Sequence, residues 1–175
     1  MAQPKLFSII DKAVFDYKLI EDGDNILIGA SGGKDSTALI EYFAARKKQN
    51  RENFNFSCLH VETEIGSPLS KGLLDLFHKW DVEPIIIKVD VLGRLKPGKK
   101  MNCWWCSTQR RTELNNYAIE KGFNKIALGH HFDDVVETIL LSMLYASEYK
   151  TMMPKLHSDN FENIELIRPM YYIRE

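Results

Sequence analysis

Residues 26–37 read Ile-Leu-Ile-Gly-Ala-Ser-Gly-Gly-Lys-Asp-Ser-Thr, running from Ile26 to Thr37. Ile26 to Ile28 is a short apolar run of the kind that forms a buried strand. Gly29, Gly32 and Gly33 then permit a tight turn with few side chains, because glycine accepts backbone angles that other residues avoid. Beyond the turn the pattern becomes helical, with Ala38, Leu39, Tyr42 and Phe43 on one face. A strand, a glycine turn and a helix N-terminus make an anion cradle: backbone N–H groups point into the turn, the helix dipole favours negative charge, and Lys34 adds a full positive charge. The anion this fits is a phosphate. A Walker A loop is excluded, because its first glycine would fall at Ile28 and Lys34 is followed by Asp35 rather than by Ser or Thr. A dinucleotide fingerprint fails as well, since Gly29-Ala30-Ser31 lacks the second glycine.

The string Ser31-Gly32-Gly33-Lys34-Asp35-Ser36 instead resembles the SGGxDS signature of the PP-loop, or N-type, ATP pyrophosphatases. An ordinary glycine turn capped by Ser31 would not need all six of these residue types together. The resemblance implies that Ala30 to Ser36 hold the β- and γ-phosphates of ATP, which is cleaved between its α- and β-phosphates. It also implies catalytic roles for Lys34 and Asp35.

The chain has 175 residues, 45% hydrophobic and 27% charged, which suits one soluble domain over 1–175 with residues 1–22 as a helix leading into it. A net charge of −1 gives no global case for nucleic-acid binding, so any such surface must be a local patch. No apolar run is long enough to span a bilayer, and Met1 to Lys5 does not lead into a signal-peptide core. Three cysteines, two of them as Cys103-x-x-Cys106, do not make a secreted disulfide framework. The expected compartment is the cytoplasm, with no membrane partner.

Along the chain, Leu6 to Ile20 has amphipathic helical spacing, broken by Glu21-Asp22-Gly23-Asp24. The helix after the glycine loop ends in the basic run Lys47 to Arg51, read as a solvated face, with contact to RNA as the alternative. Phe54 to Val61 reads as a second strand and Leu69 to Trp80 as a helix. Pro84 to Val89 is a third strand of buried type, and Val91 to Met101 a basic loop. Thr108 to Lys121 is helical with Gly122 as its C-cap. Lys125 to Gly129 is a fourth strand and Asp134 to Ala146 an apolar helix. Alternating strands and helices predict an α/β fold, a doubly wound parallel sheet of Rossmann-like type. Ligands of such a sheet sit beyond the carboxyl ends of its strands, where the glycine loop lies.

Two further constellations carry chemistry. Cys103-Trp104-Trp105-Cys106 lies between the basic loop and a helix, and thiolates at this spacing can share a metal or an iron–sulfur cluster. A redox pair and two inert thiols are the alternatives. Arg110 and Arg111, one helical turn on, face either phosphate or solvent. Gly129-His130-His131-Phe132-Asp133-Asp134 follows the fourth strand. Its acids can cap the next helix, with Glu137 adding charge to the first turn, or hold the Mg²⁺ that accompanies ATP phosphates or position the reacting base. A competing layout is His60-Val61-Glu62 followed by Cys103-x-x-Cys106, which mimics the zinc nucleobase deaminases. That signature has a proline where this chain has Asn102, and it leaves the glycine loop unused.

Taken together, Ser31 to Ser36, Cys103-x-x-Cys106 with Arg110-Arg111, and Gly129-His130-His131-x-Asp133-Asp134 resemble the tRNA 2-thiocytidine synthetase family. Met153-Pro154-Lys155-Leu156 and Arg168-Pro169 fit it too. The resemblance implies that ATP adenylates the C2 oxygen of a tRNA cytidine, that pyrophosphate leaves, and that sulfur then displaces AMP. It implies an adenosine site at His60, Val61 and Gly129, with Asp35 and Asp134 for Mg²⁺ or base positioning. Cys103 and Cys106 would be two of three ligands to a 4Fe-4S cluster. tRNA and a sulfur donor such as a cysteine desulfurase would be the partners, and a homodimer the assembly to test for.

The family's third cluster cysteine lies beyond the Arg-Pro strand, and this chain ends at Glu175. Cys58 sits inside a strand, where a small core residue is the expected role. The chain is therefore expected to be short or truncated, to borrow a ligand, or to hold no stable cluster. Related readings are a 2-thiouridine synthetase, another PP-loop ligase or amidotransferase, or a nucleotide-binding remnant without catalysis.

Overall fold

The computed structural model describes residues 5–100, 102–129, 136, 153–157 and 164–174, with the side chains of Cys103, Trp104, Ser107 and His157 outside the description. In chain order the elements are α1 (Lys5–Tyr17), β1 (Asn25–Gly29), α2 (Lys34–Gln49), β2 (Asn55–Thr63), α3 (Lys71–Lys79), β3 (Ile85–Val89), a 3-10 turn (Leu92–Arg94), α4 (Cys103–Lys121), β4 (Lys125–Ala127), β5 (Lys155–His157) and β6 (Glu165–Ile167). The strands form one sheet in the order β3-β2-β1-β4-β6-β5.

Strand β1 alternates its side chains between two separate cores. Ile26 and Ile28 face a core shared with α1, α2 and α3, including Ile10, Leu39, Phe43 and Phe77. Leu27 faces the opposite way and packs with Leu59, Leu114, Ala118 and Ile126, so α4 covers the second face. Both faces of β1 are therefore dry, which accounts for its unbroken apolar sequence. The chain moves outward from β1 through β2 to β3, then returns across α4 to place β4 on the other side of β1. The strand order thus reverses at β1, the place where an open α/β sheet leaves a crevice at its carboxyl edge.

The doubly wound sheet expected from sequence is present, with three differences. First, β5 runs antiparallel to β6, so the sheet is not wholly parallel. Second, Pro84 to Val89 was expected to be buried, but β3 is the edge strand and Ile86 is 43% exposed. An apolar run marks a strand but does not say which faces neighbours cover. Third, the Cys-x-x-Cys pair lies inside a helix rather than ahead of one. Asn102 caps α4, its Oδ1 accepting from Trp105 N at 2.7 Å, so the helix begins at Cys103. The helix expected over Asp134 to Ala146 lies outside the described residues.

At the amino edge of the sheet sits a closed polar knot. Lys125 is 1% exposed and donates from Nζ to Asp24 Oδ2 at 2.6 Å and to the Leu19 carbonyl at 3.0 Å. Asp24 also accepts from Asn124 Nδ2 and from Glu21 N. Removing one member of such a pair strands a buried charge, which typically costs about 3–5 kcal/mol. Asp24→Ala is therefore expected to lower unfolding stability by about that amount in urea titrations. A loss below about 1 kcal/mol, the size of a surface pair, would contradict this.

Candidate functional site

Parallel register brings three strand ends level. Gly29 pairs with Leu59 across β1 and β2, and Ile28 with Ala127 across β1 and β4. The residues that follow, Ala30, His60 and Leu128-Gly129, therefore stand side by side at the carboxyl edge. They border a cavity of about 390 Å³, with the loop residues Ser31, Asp35 and Ser36 on one side and Arg110, Arg111 and Leu114 of α4 on the other.

The loop is held by its own serines. Ser36 is buried, and its Oγ lies 3.0 Å from Ser31 Oγ, 3.2 Å from Ser31 N and 3.3 Å from the Gly33 carbonyl. Gly32 turns the chain at φ +88°, a conformation that L residues rarely adopt. Ser31 does not cap α2. Gly33 occupies the cap position without a side-chain hydrogen bond, and Ser31 Oγ instead accepts from Gly33 N at 3.3 Å. The first turn of α2 is thus left without a capping side chain, the arrangement in which helix N–H groups can meet an anion. Lys34 opens that turn and is exposed. Gly129 passes close to it: a Cβ there would lie 3.4 Å from Ser36 N and 3.5 Å from Asp35.

Strand β2 is an inner strand and His60 is only 5% exposed. Its Nδ1 lies 2.7 Å from the Ala30 carbonyl, an acceptor, so Nδ1 carries the proton and donates. Its Nε2 is buried and has no partner among the described residues.

Arg110 and Arg111, between which sequence could not choose phosphate or solvent, both line the cavity and are both exposed. Arg110 also passes over Gly66, where a Cβ would meet its Nη2 at 2.8 Å. Burial, and then the charge of Arg111, push the guanidinium of Arg168 below its ordinary pKa. Arg168 donates to the Met153 carbonyl and so ties the Arg-Pro segment to the strand-β5 approach. Leu59, Leu114 and Leu128 supply apolar wall to the cavity. Sequence reading missed these three, although Leu114 follows Arg110 by one helical turn and was findable from that spacing.

Two of the three thiols, those of Cys58 and Cys106, are described. Cys106 is buried on α4, and Cys58 is buried in β2 beside Ile28. Burial pushes the Cys58 thiol up to about 12, which keeps it protonated at neutral pH in the metal-free protein. No group of three His, Cys, Asp or Glu side chains suited to a metal occurs among the described residues. His130, His131, Asp133 and Asp134 lie outside them.

A sequence model of the PP-loop domain matches residues 6–175. The tRNA-cytidine(32) 2-sulfurtransferase of Ralstonia pickettii (strain 12J) is 36% identical over 176 residues, covering 99% of this chain and 56% of that protein. The protein of the same name from Shigella dysenteriae serotype 1 (strain Sd197) is 39% identical over 178 residues, again with 99% and 56% covered. This chain thus spans little more than half the length of these relatives. Among solved structures, a U34-tRNA thiolase from Methanococcus maripaludis with its 4Fe-4S cluster superposes with a TM-score of 0.76 at 20% identity, over 98% of this chain and 60% of that one. That likeness is one of fold. The PP-loop model, spanning residues 6–175, leaves the deaminase layout without support.

Two outcomes test this geometry. His60→Ala leaves the Ala30 carbonyl unpaired and is expected to lower stability by about 1–3 kcal/mol in urea titrations. His60→Asn, whose amide nitrogen takes the place of Nδ1, should recover most of that loss; equal losses would refute the bond to Ala30. Separately, Cys58 should resist iodoacetamide at pH 8 in the folded protein and react once unfolded, read by mass spectrometry of its peptide. Labelling of Cys58 in the folded state would contradict its buried, protonated state.

Proposed function

The chain belongs to the PP-loop domain family, and from that premise we propose that it carries the ATP-binding, base-adenylating site of a tRNA 2-thiolation enzyme acting on cytidine. The observation that carries this reading is the cavity in which the serine-braced loop on β1–α2 faces Arg110 and Arg111 of α4. Cations and amide donors on two walls of one crevice suit a polyphosphate bound in an extended form. The names of the relatives narrow the acceptor to a tRNA cytidine.

In this reading ATP lies with its adenosine against His60, Val61 and Gly129 and its β- and γ-phosphates on the loop. The C2 oxygen of cytidine attacks the α-phosphorus, an oxygen–phosphorus bond forms, and the bond to the β-phosphate oxygen breaks. Pyrophosphate leaves with the charge that the loop amides and Lys34 stabilise. A base oxygen joined to AMP is a good leaving group where the free oxygen is not. A sulfide-level nucleophile such as HS⁻, supplied by a donor, then adds at C2 and loses its proton, the C2–O bond breaks, and AMP departs carrying the former base oxygen. Leu59, Leu114 and Leu128 keep water from the adenylated base. Ala30 is held by its bond to His60, which fixes where the loop starts.

Two accompanying groups fit unequally. Asp35, on the first turn of α2 and lining the cavity, suits Mg²⁺ bound together with substrate phosphates, with Asp134 as its second carboxylate. Mg²⁺ would supply neutralising charge on the pyrophosphate. A three-thiolate cluster is not furnished by this chain. Cys103 and Cys106 stand one turn apart on α4, but Cys58 is remote in β2 and protonated. A third ligand would have to come from outside these residues. Adenylation as written needs neither a cluster nor a sulfur donor such as a cysteine desulfurase.

Pyrophosphate release is therefore the test. With Mg-ATP and tRNA bearing unmodified cytidine, the protein should release pyrophosphate without forming ADP, and Lys34→Ala should slow this by about 10²-fold or more. Formation of ADP and phosphate, or tRNA-independent cleavage only, would overturn the proposal.

A further inference from the structure

From Val91 to Thr112 the chain carries six cations, Arg94, Lys96, Lys99, Lys100, Arg110 and Arg111, and no acidic residue. In a protein of net charge −1 this is a strong local asymmetry. The structure puts the stretch at the carboxyl edge of the sheet, running from the end of β3 into the helix that walls the cavity.

Both ends of the loop are fastened. At its root, Glu64 accepts from Val91 N at 3.1 Å and from Leu92 N at 2.5 Å. The Leu92 amide above all holds this carboxyl down at about 2, so it stays ionised and the clamp persists at all but strongly acid pH. Arg94 donates to Gln109 at 3.2 Å and to Glu113 at 2.5 Å, which ties the loop to α4. Asn102 closes the other end as the cap of α4. Between these fastenings Lys99 N donates to the Lys96 carbonyl at 3.1 Å and Gly98 turns at φ +79°. Lys96, Lys99 and Lys100 are all exposed there, and none pairs with a carboxylate among the described residues.

The other basic runs behave differently. Lys12 pairs with Asp16, Lys48 with Asp81, and Arg51 with Asp11. Lys47 is spent on the Phe54 carbonyl and Asn55. Lys12, Lys48 and Arg51 are thus each matched by a carboxylate, whereas Lys96, Lys99 and Lys100, on the loop that leads into α4, have no carboxylate partner among the described residues. Holding unpaired like charges together is unfavourable unless a polyanion meets them.

We propose that Lys96, Lys99 and Lys100, continuous with Arg110 and Arg111, form the face that takes the phosphate backbone of the RNA whose base enters the cavity. This rests on the reading of the site as a tRNA-modifying one. The face supplies position rather than sequence choice: ammonium groups on phosphates fix the strand without reading bases. The cavity beside it selects the base.

The test is binding of tRNA by fluorescence anisotropy between 50 and 200 mM salt, with Mg-ATP binding measured in parallel by calorimetry. Each phosphate contact contributes about 0.7–0.9 to the slope of log affinity against log salt. The triple variant K96Q/K99Q/K100Q should therefore lower that slope by about 2–3 and leave Mg-ATP affinity unchanged. K12Q/K48Q/R51Q removes as many charges from the opposite side and should leave the slope as it is. An unchanged slope in the first variant, an equal fall in the second, or no tRNA binding by the unaltered protein would each overturn the assignment. Pyrophosphate release that still depends on tRNA while the slope stays unchanged would sink this face and spare the adenylation reading. Loss of tRNA-dependent release in the unaltered protein would sink the reading itself.

Discussion

Ala30 is where strand ends and loop begins, and both of its backbone polar groups are bonded to β2. Its N–H donates to the Leu59 carbonyl at 2.8 Å, and its carbonyl accepts from His60 Nδ1 at 2.7 Å. The peptide that launches the glycine loop is thereby fixed against a strand that is itself buried and paired on both sides. Glycine-rich turns are entropically costly to order, so a loop of this composition needs a rigid point of departure. Ser36 supplies the point of return, gathering Ser31 N, Ser31 Oγ and the Gly33 carbonyl around one hydroxyl. Between those two anchors the backbone has little choice. The anion cradle follows from them rather than from the glycines alone.

The two edges of the sheet handle charge in opposite ways. At the amino edge, Lys125 and Asp24 are buried against each other with every polar atom near them engaged. Such a closed pair adds definition to strand order, since β1 and β4 are joined by residues flanking both, Asn25 and Asn124 included. At the carboxyl edge Arg110 and Arg111 of α4 border an open cavity instead. Buried Arg168 has its guanidinium pKa lowered by burial first and by the charge of Arg111 second. An arrangement that leaves positive groups confronting one another is stable only modestly by itself and gains from an anion between them. The asymmetry gives the sheet a direction: structural charge is sealed at one end, and chemical charge is exposed at the other.

Much of this was readable from residues because local rules and the global fold agree. Ile26 to Thr37 announces strand, turn and helix through composition alone, and Gly122 was visible as a helix end, which it is at φ +78°. What escaped reading depended on register or on neighbours. The bond between His60 and Ala30 joins residues far apart in sequence and exists only because β1 and β2 pair with Gly29 opposite Leu59. The exposure of Ile86 follows from β3 having no outer neighbour, which no pattern within the strand encodes. The start of α4 was placed too late because Cys-Trp-Trp-Cys has no amphipathic period. Asn102, a good cap residue just ahead of it, was the signal to weigh more heavily. The antiparallel β5 and β6 are three residues each, too short for alternation to show.

The thiols divide the chemistry into two parts that this fold need not perform with the same groups. Cys58 shares the interior with Ile28 and Phe77 and is as inert as they are. Cys106 stands on the same helix as Arg110 and Arg111, so whatever the Cys-x-x-Cys turn binds is held at a fixed separation from the phosphate wall of the cavity. Helix α4 thus carries both the cavity-lining Arg110 and Arg111 and, at its first turn, the Cys-x-x-Cys pair. Its position is set by packing of Leu114 and Ala118 against the sheet and by the Arg94 tie to Gln109 and Glu113, none of which involves a thiol. The adenylation geometry should accordingly persist whether or not the first turn of α4 is occupied. In the proposed reaction, base activation would rest on the sheet and its loop, and sulfur delivery on groups at one end of α4.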